Sequence, residues 1–98
     1  MQIQFVNHCG ADSSFAIEWD GGESGRTAVI PQGQSAVIDT GSLNIPDGTS
    51  CWARAYVQGG PNHDSGDNFT FHANSSAVVS YTLTGSVDAP EFSCTGCD

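Results

Sequence analysis

The sequence predicts an all-β protein, an antiparallel β-sandwich of about seven or eight short strands stapled by disulfides. Three observations predict it. Runs of about five to eight residues alternate apolar with polar side chains, and turn-forming residues punctuate the chain about every eight to twelve positions. Nowhere do apolar residues recur at i, i+3, i+4, i+7 over the length a helix requires. Four cysteines among 98 residues, of which only 38% are hydrophobic, imply that covalent links supplement a modest core.

Taken in order, Gln2 to Val6 alternates with Ile3 and Phe5 on one face and reads as a first strand. Asn7 to Ser14 is a turn region carrying Cys9. Phe15, Ile17 and Trp19 alternate with Ala16 and Glu18, the cleanest half-buried strand pattern in the chain. Asp20-Gly21-Gly22 ends it with residues that tolerate positive φ. Arg26–Ile30 and Ser35–Asp39 are two more β-rich runs, and Pro31-Gln32-Gly33-Gln34 between them predicts a hairpin. Thr40 to Ser50 reads as a loop that tucks Leu43 and Ile45 under an apolar edge and closes on Pro46-Asp47-Gly48.

Cys51 to Val57 reads as a strand with two unlike faces: Cys51, Ala53, Ala55 and Val57 on one, Trp52, Arg54 and Tyr56 on the other. The long polar stretch Gln58 to Asn68 follows as a loop. Phe69 to His72 gives a short strand, Ala73 to Ser76 a turn, and Ala77 to Thr84 a long strand in which Val79, Tyr81 and Leu83 share a face. Residues 85–98 show little periodicity and read as a tail, so the chain is one domain, 1–98, with its end pinned by disulfides.

Charge narrows the partners. Two arginines, no lysine and eleven acidic residues give a net charge of −9, which argues against a nucleic-acid backbone and against insertion into or adsorption on an anionic membrane. The first ten residues lack the basic and apolar regions of a signal peptide, and no apolar stretch approaches a membrane span. The cysteines nevertheless favour an oxidising or extracellular destination. Asn68-Phe69-Thr70 and Asn74-Ser75-Ser76 match the glycosylation acceptor pattern, one that Ser/Thr-rich sequences also produce by chance.

Four cysteines allow three pairings. The expected pairing sends Cys94 and Cys97 to Cys9 and Cys51 in either order, because a structureless tail gains most from such links. The alternatives are a local Cys94–Cys97 bridge, which lacks the βαβ context of a redox motif, and a zinc site, for which only one Cys-x-x-Cys pair exists.

No Gly-x-Ser-x-Gly elbow or triad spacing is present. Carboxylate pairs such as Glu18 with Asp20, or Asp64 with Asp67, could be assigned to glycoside hydrolysis, but a domain this small rarely encloses a cleft deep enough to tune them. The chain is therefore read as a binding protein, not an enzyme. The loop Asn62-His63-Asp64-Ser65-Gly66-Asp67-Asn68 offers hard oxygen ligands, yet it lacks the register of an EF-hand, so neither a metal nor a cofactor is assigned.

What remains is recognition of a neutral polar ligand. Sugars present hydroxyls, which Asp and Asn bind, and a C–H face, which lies against an aromatic ring. Trp52, Arg54 and Tyr56 with the loop residues Asn62, His63, Asp64, Asp67 and Asn68 supply both, and Asp20 beside Trp19 is a second candidate of the same kind. Trp19, in phase with Phe15 and Ile17, reads as core; Trp52 reads equally well as core or as site. Two other classes compete: a secreted defence or effector protein that binds a protein or membrane target, whose binding free sugars would leave unaffected, and a small glycoside hydrolase, which would show turnover.

A chain of 10.2 kDa with four cysteines, almost no basic residues, no visible leader and Gly/Ser/Asp/Asn loops between short strands resembles the small mushroom lectins of the Lyophyllum type. That resemblance implies a fungal β-sandwich lectin, a homodimer that recognises terminal α-linked galactosides on glycans without catalysis.

Overall fold

The computed structural model describes residues 1–97. Among these described residues nine strands form two sheets that face each other across one core. The first sheet holds β1 (Gln2–Asn7), β4 (Ser35–Asp39), β8 (Val78–Ser86) and β9 (Ala89–Thr95) in the order β4-β1-β8-β9. The second holds β2 (Ser13–Trp19), β3 (Gly22–Glu23), β5 (Ser50–Val57) and β6 (Asn62–Asp64) in the order β3-β2-β5-β6, and β7 (Phe69–Thr70) pairs with the start of β5. The sandwich is as expected, but one ladder is not antiparallel: β1 runs parallel to β8, with Phe5 opposite Tyr81. Those partners lie 76 positions apart, ample length for the crossover that parallel pairing requires.

Alternation fixes the core. On β1, β5 and β8 every second residue is buried, which brings Ile3, Phe5, Cys51, Ala53, Ala55, Val57, Val79, Tyr81 and Leu83 inward. Phe5 stacks on Phe15 with ring centroids 5.0 Å apart, and Tyr81 meets Phe5, Phe69 and Phe92 at 6.2, 6.3 and 5.8 Å. The small Ala53 and Ala55 on the facing strand leave room for these rings, the size matching a close-packed interior needs. Trp19 is half-buried against this core, whereas Trp52 lies on the outer face of its strand and is partly exposed.

Three expectations are corrected. Arg26–Ile30 and Ser35–Asp39 do not form a hairpin: β4 pairs with β1, and the earlier segment instead runs beside β2. Its backbone is too irregular for a full ladder, so hydroxyls complete it. Ser24 Oγ accepts from the Ile17 N–H at 2.9 Å and Thr27 Oγ1 from the Phe15 N–H at 3.1 Å. The polar loop after β5 also folds back onto its sheet, as β6, and Ser65 Oγ accepts from the Ala53 N–H at 3.0 Å. Serine and threonine thus stand in for carbonyls wherever an edge departs from regular pairing.

The third correction concerns the cysteines and the tail. Residues 89–95 are strand β9, paired with β8 from Ser86 opposite Ala89 to Ser80 opposite Thr95. Cys94 and Cys97 bond to each other, three residues apart, while Cys9 and Cys51 are free and buried. Their thiols point to different carbonyls, Ser86 and Thr49, and burial pushes the Cys51 thiol up to about 11. A bridge closing so short a loop constrains the unfolded chain far less than a long one, about 2 kcal/mol in the chain-entropy estimate against 4 to 5. Reduction is therefore expected to lower the thermal midpoint by roughly 8 to 16 °C and leave the protein folded. Melting curves with and without a dithiol reductant test this, and unfolding at room temperature would contradict it.

Candidate functional site

The outer face of the second sheet collects the strongest side chains. Register does this: Glu18 lies opposite both Trp52 and Glu23, Arg54 opposite Ala16 and Asp64, and Tyr56 opposite Ser14 and Asn62. Five of the expected residues, Trp52, Arg54, Tyr56, Asn62 and Asp64, therefore share one face, although they come from one strand and a loop read as irregular.

The middle row of that face is closed on itself. The Arg54 guanidinium takes Asp64 in a two-pronged contact, Nη2 to Oδ2 at 3.1 Å, and reaches Glu18 Oε1 through Nη1 at 2.9 Å. Hydrogen bonding from Arg54 holds the Asp64 carboxyl below its ordinary range and raises the guanidinium's own affinity for its proton. Glu18 moves the other way: burial, and then a hydrogen bond with Glu23, push its carboxyl up despite the arginine. Tyr56 Oη donates to Glu23 Oε2 at 3.2 Å. Every hydrogen-bonding group in this row already has a partner.

A consequence for pH follows. With its folded pKa raised, Glu18 favours folding most below its unfolded value near 4.5, and that contribution is lost as pH rises through the folded value. Asp64, held low, contributes above its unfolded value and loses that contribution as pH falls through the folded one. Glu18→Gln is thus expected to remove the first loss while leaving the second. The fall in thermal midpoint between about pH 4.5 and about pH 7 should shrink relative to wild type, and an unchanged profile would refute the assignment.

Beyond the closed row, toward the end of β5, the face opens into a groove of about 270 Å³ whose lining includes Asp12, Ser14, Arg26, Tyr56, Gln58 and Asn62. Arg26 sits over the Tyr56 ring, its guanidinium carbon 3.6 Å from the ring centre. Asp12, Ser14, Arg26, Gln58 and Asn62 make no side-chain hydrogen bond or ion pair among the described residues. Groups that folding leaves unspent in a concavity are the ones a ligand can use.

One buried residue braces two walls of this groove. Asn7 is fully buried, its Nδ2 donating to Ala11 O at 3.0 Å and Ile30 O at 2.8 Å, while its Oδ1 accepts from the Cys9 N–H at 3.0 Å. It thereby ties the segment carrying Asp12 to the segment carrying Arg26. A larger hollow of about 480 Å³ lies between Ala28–Pro31 and Gln34–Ala36, but its apolar lining offers little to orient a polar ligand.

The other expected residues lie elsewhere. Opposite Ala55 in register, His63 faces inward and stacks on Phe92 with centroids 5.9 Å apart. Asp67 acts through its carbonyl, which accepts from Tyr81 Oη at 2.9 Å and Ser65 Oγ at 3.0 Å. Asn68 donates to Ser50 Oγ at 2.9 Å, at the Trp52 end of the face. Asp20 is exposed in the β2–β3 turn. Trp52 and Tyr56, four residues apart on a strand, stand about 13 Å from each other. The expected single site is therefore two ends separated by an ion-paired row.

Asp12, Ser14, Arg26 and Gln58 were not among the residues singled out from the sequence. Ser14 carried a readable signal, being in phase with Ala16 and Glu18, and Arg26 is one of two basic residues in the chain. Among the described residues no three His, Cys, Asp or Glu side chains converge as a metal site, and no helix is long and apolar enough to cross a membrane. No family model matches the sequence, and no curated protein matches it either.

Proposed function

We propose that the protein is a lectin that holds a terminal galactoside in the Tyr56 groove and does no chemistry on it. The observation that carries this reading is the groove itself: hydroxyl, amide, carboxylate and guanidinium groups, none spent on the fold, gathered around an aromatic wall. A sugar ring asks for that combination, several hydrogen bonds in fixed directions beside a surface that accepts C–H groups. Its volume, just below the roughly 300 Å³ at which drug-sized pockets begin, suits one ring rather than a buried oligosaccharide. The choice of galactose follows the resemblance of the sequence to α-galactosyl-binding mushroom lectins. In the homodimer which that resemblance implies, two grooves would raise avidity for clustered glycans without further contacts.

Binding without turnover is favoured by the carboxylates. Glu18 is ion-paired to Arg54 at 2.9 Å and Glu23 accepts from Tyr56 Oη at 3.2 Å, so neither stands free to flank a glycosidic bond. Asp64 is held by Arg54. The test is a glycan array followed by titration of methyl α-galactoside and methyl α-glucoside, each with and without a chelator. Saturable, chelator-independent binding that prefers the galactoside is expected. A blank array with no saturation by either glycoside would overturn the proposal, and release of free sugar would replace it with hydrolysis.

A further inference from the structure

We infer that the groove's preferred occupant is an acidic galactoside, one whose carboxylate lies on Arg26; this rests on the carbohydrate reading and names the ligand class within it. The chain has two basic side chains against eleven acidic ones, so an arginine left without a carboxylate is the exception that needs a reason. Arg54 is used twice over, by Glu18 and Asp64. Arg26 forms no ion pair among the described residues, although Asp12 lines the same groove.

Its geometry is that of a receptor. The guanidinium carbon sits 3.6 Å from the Tyr56 ring centre, and none of the N–H groups is taken by a hydrogen bond or ion pair among the described residues. A planar fork of donors matches a carboxylate in two parallel hydrogen bonds, a match that neither a hydroxyl nor a carbonyl reproduces. The rest of the groove suits the remainder of the sugar. Asp12 accepts from a pair of hydroxyls, Ser14 both donates and accepts, and the Asn62 and Gln58 amides reach the ring substituents. The groove is thus dipolar, cationic at Arg26 and anionic at Asp12, and a sugar with a carboxylate on one side and hydroxyls on the other complements both. Repulsion from the remaining negative charge acts at longer range and is screened beyond about 8 Å at physiological salt.

Two sources supply this chemistry: galacturonate, in which the carboxylate is the sugar's own, and a sialylated galactoside, in which a neighbouring residue carries it. Titration at physiological ionic strength of methyl α-galactoside, methyl α-galacturonate and 3′-sialyllactose into wild type, Arg26→Gln and Arg26→Lys separates them. One acidic ligand is expected to bind at least about tenfold more tightly than the neutral galactoside, and the tighter of the two identifies the source. Arg26→Gln should erase that preference, weakening the acidic ligand at least about tenfold more than the neutral one, and Arg26→Lys, which keeps charge but not the fork, should restore only part of it. Arg26 is exposed, so the thermal midpoints of all three proteins should coincide. If the neutral galactoside binds and neither acid binds better, or if Arg26→Gln leaves the ratio intact, the inference falls and the lectin reading stands. If no saccharide binds wild type, both fall.

Discussion

Asn7→Asp is expected to unfold the protein at neutral pH. The change is nearly isosteric, so whatever it does comes from hydrogen bonding and charge rather than from packing. In the folded chain the Asn7 amide donates to two carbonyls, Ala11 O at 3.0 Å and Ile30 O at 2.8 Å, in a fully buried position. An aspartate turns both donors into acceptors and sets a carboxylate oxygen against those carbonyls with no water to intervene. Two charge-free hydrogen bonds are lost and an unpaired charge is buried, each at a cost of a few kcal/mol. The sum, roughly 5 kcal/mol, is comparable to the whole stability of a domain this size.

The sign of the pH effect is fixed as well. A buried carboxyl without a cationic partner has its pKa raised, so the variant should recover part of its stability as the pH falls and the acid regains one donor. Circular dichroism melts at about pH 7 and about pH 4 measure both quantities. A midpoint within a few degrees of wild type at neutral pH would show that Asn7 does not join the two segments. Loss of those bonds also removes one brace between the segments that carry Asp12 and Arg26, so any folded fraction should show a loosened groove.

That a single buried asparagine matters so much could not be read from the sequence, where Asn7 looks like the first residue of a turn. Its role exists only because residues 11 and 30 come within reach of it, a consequence of β1 and β2 lying in different sheets. The strands that alternate strongly were legible: Ile3 and Phe5, Phe15 and Ile17, Cys51 to Val57, and Val79 to Leu83 all bury the face their pattern indicates. Strand β9 was not, because of its inward residues Pro90, Phe92 and Cys94 only Phe92 is bulky. The segment along β2 was misread for a different reason. Ser24 and Thr27 satisfy backbone donors with hydroxyls, and a sequence pattern records side-chain polarity without recording what it replaces.

The cysteine pairing failed on a premise: a tail that is a strand is anchored by its own ladder and does not require a long-range bridge. At the candidate site, the outward face of Trp52, Arg54 and Tyr56 was legible from alternation alone. Which of these residues remains available was not. Arg54 is taken by partners on β2 and β6 whose register with β5 no local pattern encodes.

Tyr56→Ala and Trp52→Ala should part company for the same reason. The two aromatics stand about 13 Å apart with the Arg54 row between them, too far for one sugar ring to touch both. Tyr56 walls the groove and supports Arg26 on its ring, so its removal takes away the apolar surface and releases the guanidinium together. A loss of at least about 30-fold in affinity for methyl α-galactoside is expected, the scale of a central binding residue. Trp52 touches neither the groove nor Arg26, so its truncation should leave that monosaccharide's affinity within about twofold and weaken only longer glycans that run along the face past Arg54. Isothermal titration with the monosaccharide and with an oligosaccharide series separates the two effects. Equal losses for both variants on the monosaccharide would move the primary contact to the Trp52 end, where Asn68 and Ser50 would become the polar partners. A loss confined to Trp52→Ala would do so more strongly, because the groove would then have no part in holding the sugar.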